Sequence, residues 1–213
     1  MFRRILRKAG RANDLARFLY KRRAHGLPPP GDTPLFDPEG IEVFGAELAK
    51  ATSYLEFGSG GSTVLVDRAG IPGVSVESDA IYAAAVRSRL KGGRVRIVSP
   101  DIGLTGEWGT PLFRNHAKWR RYIEAPFPIE PFPNFILVDG RFRVACALQA
   151  AKYAHEAGVL ATLMFDDYTP RPHYHVVESH IGQPRIVGRA ALFKIGATPI
   201  SQAAIDLHAK DYR

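Results

Sequence analysis

The chain has 213 residues, 46% of them hydrophobic, with one cysteine, Cys146, and a net charge of +8. This length supports one well-buried core. The composition excludes a disulfide framework and a thiolate metal site, and no apolar run reaches the length of a membrane span. The charge is concentrated in residues 1–23, where nine basic side chains face Asp14 alone, so the remaining residues sum to zero.

Within residues 1–23, Phe2, Ile5, Leu6, Ala9, Leu15, Ala16 and Leu19 recur at helical spacing and predict a basic amphipathic helix. Such a helix suits an anionic membrane surface or nucleic acid. The plainer and preferred reading is a helix packing one face on its own domain. An Arg-rich, acid-poor leader is also similar to an organelle transit peptide. The N-terminus lacks the apolar centre of a secretory signal, and a cytoplasmic, membrane-peripheral at most, setting is expected.

"GLPPPGDTP" (26–34) reads as a stiff, extended linker. Asp37 then caps a helix with Pro38 at its first position. From there strands alternate with helices: "SYLEFG", a helix from Ser62, "GVSVES", the helix "DAIYAAAVRSRL", and "RVRIVS". An irregular stretch, 100–134, stands where a helix is usual. It is followed by "NFILVDG", a helix near 142–157, "VLATLMFDD", two short strands, "PRIVG" and "AALFKI", and a short C-terminal helix. The expected organisation is a basic extension and linker (1–32), one domain (33–198) and a tail (199–213). Apolar strands alternating with helices predict an α/β fold, a mostly parallel sheet with helices on both faces.

In such sheets ligands sit outside the carboxyl ends of the strands. Those ends here carry Glu56, Glu77, Asp101, Asp139, and Asp166 with Asp167, so every parallel strand brings an acid to one rim. "EFGSGGST" (56–63) joins a strand to a helix. It lacks the lysine of a P-loop, and Thr63 stands where a dinucleotide fingerprint needs its third glycine. An acid two residues before Gly58 suits a ligand with a positive end, such as the ammonium and sulfonium of S-adenosylmethionine. Glu77, 19 residues after Gly58, is placed to accept both hydroxyls of a ribose.

With "LEFGSGGST", "VESD", "LVDGRFR" and "FDDY", the chain resembles class I S-adenosylmethionine-dependent methyltransferases over about residues 50–196. It is most similar to a bacterial methyltransferase-like subfamily related to metal-dependent sugar and catechol O-methyltransferases. The resemblance implies a Rossmann-like, seven-stranded sheet whose last strand runs antiparallel. It assigns Glu56, Gly58, Gly60, Ser62, Thr63 and Glu77 to the cofactor and Asp101 to its adenine. It also matches Asp139, Asp166 and Asp167 to a Mg²⁺ ligand set.

The catechol enzymes carry a lysine three residues after the first ligand acid, where this chain has Phe142. Arg141 and Arg143 flank it, stay protonated, and could hold an anionic substrate or pair with the aspartates. Pairing, with one strand-five aspartate capping a helix, is preferred over a tight metal. His173 and His175 could bind zinc or iron or serve as a base, but a solvated loop is the preferred reading. Trp108, Trp119 and Tyr122 mark 100–134 as a wall or lid, and "RNHAKWRRY" mixes basic and aromatic residues able to stack a nucleobase. Asp139, Arg141 and Asp167 are the expected reacting end, acting on a small-molecule or saccharide hydroxyl. A non-catalytic membrane-peripheral partner is the alternative, and nucleic-acid modification ranks behind it.

Overall fold

The computed structural model describes residues 15–213; the apolar and basic positions predicted within 1–14 lie outside them. A first helix, α1, covers residues 15–25. It meets the domain through the buried Arg22, whose guanidinium lies over the Phe18 ring, while Leu15 and Leu19 are half-buried and Ala16 is exposed. Arg22 donates to the carbonyls of Thr105 (2.8 Å) and Gly106 (2.9 Å) and pairs with Asp79. The proline segment after it is packed, not free. Pro30 and Pro34 are buried, and Asp32 pairs with Arg68 (2.7 Å) and Arg89.

The sheet then builds through α2 (Pro38–Leu48), β1 (Tyr54–Phe57), α3 (Gly61–Arg68), β2 (Gly73–Val76), α4 (Ala80–Arg87) and β3 (Val95–Val98). It continues with α5 (His116–Glu124), β4 (Phe135–Val138), α6 (Arg143–Glu156), β5 (Ala161–Phe165), α7 (Glu178–Ile181), β6 (Arg185–Val187), β7 (Ala190–Ile195) and α8 (Gln202–His208). Strand order is β3-β2-β1-β4-β5-β7-β6, and β7 runs antiparallel to both its neighbours. The chain steps outward from β1 to β3, then returns to place β4 on the other side of β1. The switch point therefore lies between the ends of β1 and β4, where Phe57 pairs with Val138.

Central strands alternate sides, as their period of two demands. Leu55, Phe57, Ile136, Val138, Leu163 and Phe165 point into a core closed by α5, α6 and α8. Tyr54, Phe135, Leu137 and Met164 point into the opposite core beneath α2 and α3. Each fully buried large apolar side chain contributes about 1.5–3 kcal/mol, so these two layers fix the strand ends rigidly. Asp37 caps α2 as its sequence predicts, accepting the Gly40 N–H at 2.9 Å.

The stretch 100–134 departs from expectation, because it contains α5, capped by Asn115. Its apolar face is only Trp119, Tyr122 and Ile123, so a mostly charged sequence conceals it. Trp119 and Tyr122 are buried in the core against Phe142, which removes them from nucleobase stacking. Trp108 alone of that aromatic set stays exposed, at 78%. Residues 199–213 pack on α6: Ile205 and Ala209 are buried, and the Tyr212 carbonyl accepts the Phe142 N–H. Among the described residues no helix is long and apolar enough to cross a membrane.

Candidate active site

The glycine loop leaves β1 at Gly58, whose φ of 100° is open to glycine at little cost. A Cβ there would stand 2.6 Å from the Gly140 Cα, so the ends of β1 and β4 touch backbone to backbone. Gly60 is different: its backbone is extended, and a Cβ would meet only the Tyr82 hydroxyl, at 3.9 Å. It faces open space. Gly61 lies against the Thr33 carbonyl, so the proline segment covers the start of α3.

Glu56 and Tyr54 share one face of β1, and Glu56 is fully buried. Its carboxylate accepts from the hydroxyls of Tyr54 (2.9 Å), Ser62 (2.8 Å) and Thr63, while Thr63 Oγ1 accepts the Gly60 N–H at 2.8 Å. Burial pushes the Glu56 carboxyl up, and these hydroxyls oppose the shift. Glu56, Ser62 and Thr63, all expected to face a cofactor, direct their side chains at one another. These side chains are thus spent within the loop, which leaves its backbone uncovered at Gly60.

Glu77 follows β2 and is 6% exposed. It accepts the N–H groups of Ser59 (3.1 Å) and Asp79 (2.8 Å) and the Ser78 hydroxyl (3.1 Å). Its carboxyl is pushed up to about 7, chiefly by burial, with the hydrogen bonds opposing and Glu56 adding. Two elements border it. Gly109 brings the 105–110 loop against Ser78, with Trp108 beside it in a left-handed conformation (φ 56°). From α4 comes Tyr82, whose phenol is pushed up by burial and then by Glu77, Glu56 and Asp139. Asp101 stands apart from this group: it is exposed and bound by Lys118 at 2.6 Å.

Beyond the glycine contact, Asp139, Asp166 and Asp167 bring carboxylate oxygens within 4.8 Å of one another. Asp167 adopts φ 55°, which turns its carboxylate back into the cluster. Three arginines meet the three acids. Arg143 pairs with Asp139 (2.9 Å) and Asp167 (3.4 Å), Arg171 with Asp167 (2.8 Å), and Arg189 with Asp166 (2.9 Å) and Asp167 (3.3 Å). Buried Arg143 also donates to the carbonyls of Gly140, Asp166 and Asp139. The protein packed around Asp139 pushes its carboxyl up, with Arg143 and Arg189 opposing and Asp166 and Asp167 adding. The sequence left open whether Arg141 and Arg143 serve these acids; Arg143 does, and Arg141 does not.

The carboxylates are hard oxygen donors of the kind Mg²⁺ takes, but their charge is already matched by guanidinium groups. A divalent ion at this spot would have to expel arginines first, so the group as arranged does not fit one. His173 and His175 do not converge. His173 lines a cavity of about 270 Å³ with His208, Asp211 and Arg213. His175 stacks on Tyr168 at 4.7 Å and meets its carbonyl at 3.2 Å.

Sequence reasoning missed Tyr54, although its period-two relation to Glu56 on one strand signals a shared face. It also missed Ser59, Tyr82, Arg171 and Arg189. No local signal marks Arg189, which reaches Asp166 from the start of β7.

No family model matches the chain, and no curated protein matches it. Solved structures do. A methyltransferase-like protein from Silicibacter pomeroyi is 36% identical, with a TM-score of 0.73 over 86% of this chain and 98% of that one. Cofactor-bound Rv0187 from MTB is 16% identical, with a TM-score of 0.55 over 85% of this chain and 89% of that one. A candidate O-methyltransferase from Klebsiella pneumoniae is 17% identical, with a TM-score of 0.50 over 85% and 97%. The last two likenesses show the fold alone.

Proposed function

The chain belongs to the class I S-adenosylmethionine-dependent methyltransferase superfamily, and from that premise we propose that it methylates a hydroxyl of a small molecule or saccharide. The observation that carries the reading is a convergence at the sheet's switch point. There the open backbone of Gly60 and the carboxylate of Glu77 stand on one side of the Gly58–Gly140 contact, and Asp139 stands on the other.

S-adenosylmethionine supplies a methyl group activated by its sulfonium. Glu77 accepts the ribose hydroxyls, already oriented by Ser59 and Asp79, and Gly60 leaves room for the donor beside the loop. Glu56 acts indirectly, by fixing Ser62 and Thr63 and so the loop's shape. Asp139 takes the proton of the acceptor hydroxyl. A carboxyl held above its ordinary value is the more basic for that task, and Arg143 fixes its position. When bound, S-adenosylmethionine would supply the electrophilic methyl together with its own leaving sulfur, and Asp139 would take up the proton that the acceptor hydroxyl releases. Holding the two reactants in line can lower the barrier by about 7–11 kcal/mol.

We read the chemistry as metal-independent, because Arg143, Arg171 and Arg189 supply the positive charge that a divalent ion would bring. The cytoplasm is the proposed setting, in keeping with the single, buried and free Cys146. The test is calorimetry with S-adenosylmethionine on the wild type and on Glu77→Ala, coupled to transfer of labelled methyl into cell extracts. A clear heat lost in the variant and a labelled small molecule are expected. Equal heats in both proteins would refute the cofactor assignment.

A further inference from the structure

Arg141 follows Gly140 in the connection from β4 to α6. Its Nε is shut off from solvent and has no hydrogen-bond partner among the described residues. Among the described residues it forms no ion pair, while its neighbours Arg143, Arg171 and Arg189 each hold an aspartate. Burial and then the like charge of Arg143 disfavour the Arg141 cation, with the phenols of Tyr122 and Tyr174 nearby and Arg171 adding a smaller repulsion. Three guanidinium groups are thus matched to the three carboxylates, and Arg141 beside them has no acid of its own among the described residues. A half-buried cation beside like charges is costly, and a bound anion relieves that cost.

We propose that Arg141 receives an oxyanion carried by the methyl acceptor: a carboxylate, phosphate or sulfate held by the planar guanidinium fork. This deepens the hydroxyl-methylation reading and rests on it. A guanidinium presents paired N–H donors that match two oxygens of such a group, which fixes orientation as well as affinity. The position supports the acceptor as the source. Glu77 and Gly60 lie on the β1–β2 side of the glycine contact, whereas Arg141 lies past Gly140, two residues from Asp139 and beside Tyr174. An acceptor anchored there by its anion would present a neighbouring hydroxyl to Asp139.

The test titrates the full chain with inorganic phosphate, sulfate and acetate against chloride at matched ionic strength, by calorimetry and thermal unfolding. The proteins compared are wild type, Arg141→Lys and Arg141→Met. The wild type binds one of the three oxyanions in preference, which identifies the class. Arg141→Lys binds it at least about tenfold more weakly, because a point charge replaces the fork. Arg141→Met does not bind it and unfolds at a higher temperature than the wild type without anion, a gap that closes as anion is added. Equal responses of wild type and Arg141→Met to all three anions would overturn the proposal. So would a loss of S-adenosylmethionine affinity in Arg141→Met as large as its loss of anion affinity, since Arg141 would then serve the carboxylate of the methyl donor. The anion titration needs no methyl donor, so its failure leaves the methyltransferase reading standing. Failure of donor binding with anion binding intact sinks only that reading.

Discussion

Replacing Glu77 by glutamine probes the acid on which cofactor binding is proposed to turn. In the folded chain the Glu77 carboxyl titrates near 7, against an ordinary value of 4.5. The folded state therefore holds a proton that the unfolded state has released between those values. Stability that is full below pH 4.5 is lost as pH rises through 7. Integrated from pH 5 to pH 8.5, the loss is about 2.5 kcal/mol. The Glu77→Gln variant has no such proton. Its amide leaves one donor, such as the Ser59 N–H, without an acceptor, at about 1–3 kcal/mol. That cost is the same at every pH, so it offsets the curve without tilting it. Urea unfolding across this range therefore gains about 2.5 kcal/mol for Glu77→Gln relative to wild type from the acid to the alkaline end. S-adenosylmethionine affinity of the wild type weakens below pH 7, approaching tenfold per pH unit, because the ribose needs the ionised acceptor. In the variant it is weak and flat. A stability difference that does not change with pH would refute both the buried state of Glu77 and its titration.

Two glycines separate space from packing. Gly60→Ala keeps or slightly raises stability, by up to about 1 kcal/mol, because its extended backbone suits alanine. It weakens S-adenosylmethionine binding measured by calorimetry, and unaltered affinity would remove Gly60 from the cradle. Gly140→Ala instead collides with the Tyr122 hydroxyl and the Gly58 backbone and lowers unfolding free energy by about 1–3 kcal/mol. Millimolar Mg²⁺ and EDTA leave the melting temperature and methyl transfer unchanged, because arginines neutralise Asp139, Asp166 and Asp167. Activity abolished by EDTA and restored by Mg²⁺ would reverse that assignment.

What the sequence determined by itself lies in patterns of neighbouring residues. Apolar runs of strand length, the cap Asp37 and the Gly58–Gly61 turn specify a mostly parallel sheet with acids along one rim. Each of these is written in a few consecutive residues, so local propensity and burial suffice to read it. The tertiary structure decided which of those acids are available. Glu56 and Glu77 look alike at the ends of consecutive strands, yet one is enclosed by Tyr54, Ser62 and Thr63 while the other holds the backbone of Ser59 and Asp79. Arg141 and Arg143 are two residues apart, yet only Arg143 reaches the aspartates. Arg189 meets Asp166 because β7 pairs antiparallel with β5, and Arg22 meets Asp79 because α1 brings it to the start of α4 and the 105–106 backbone. A charge's partner depends on which distant strand or helix ends beside it, and no stretch of neighbouring residues encodes that choice.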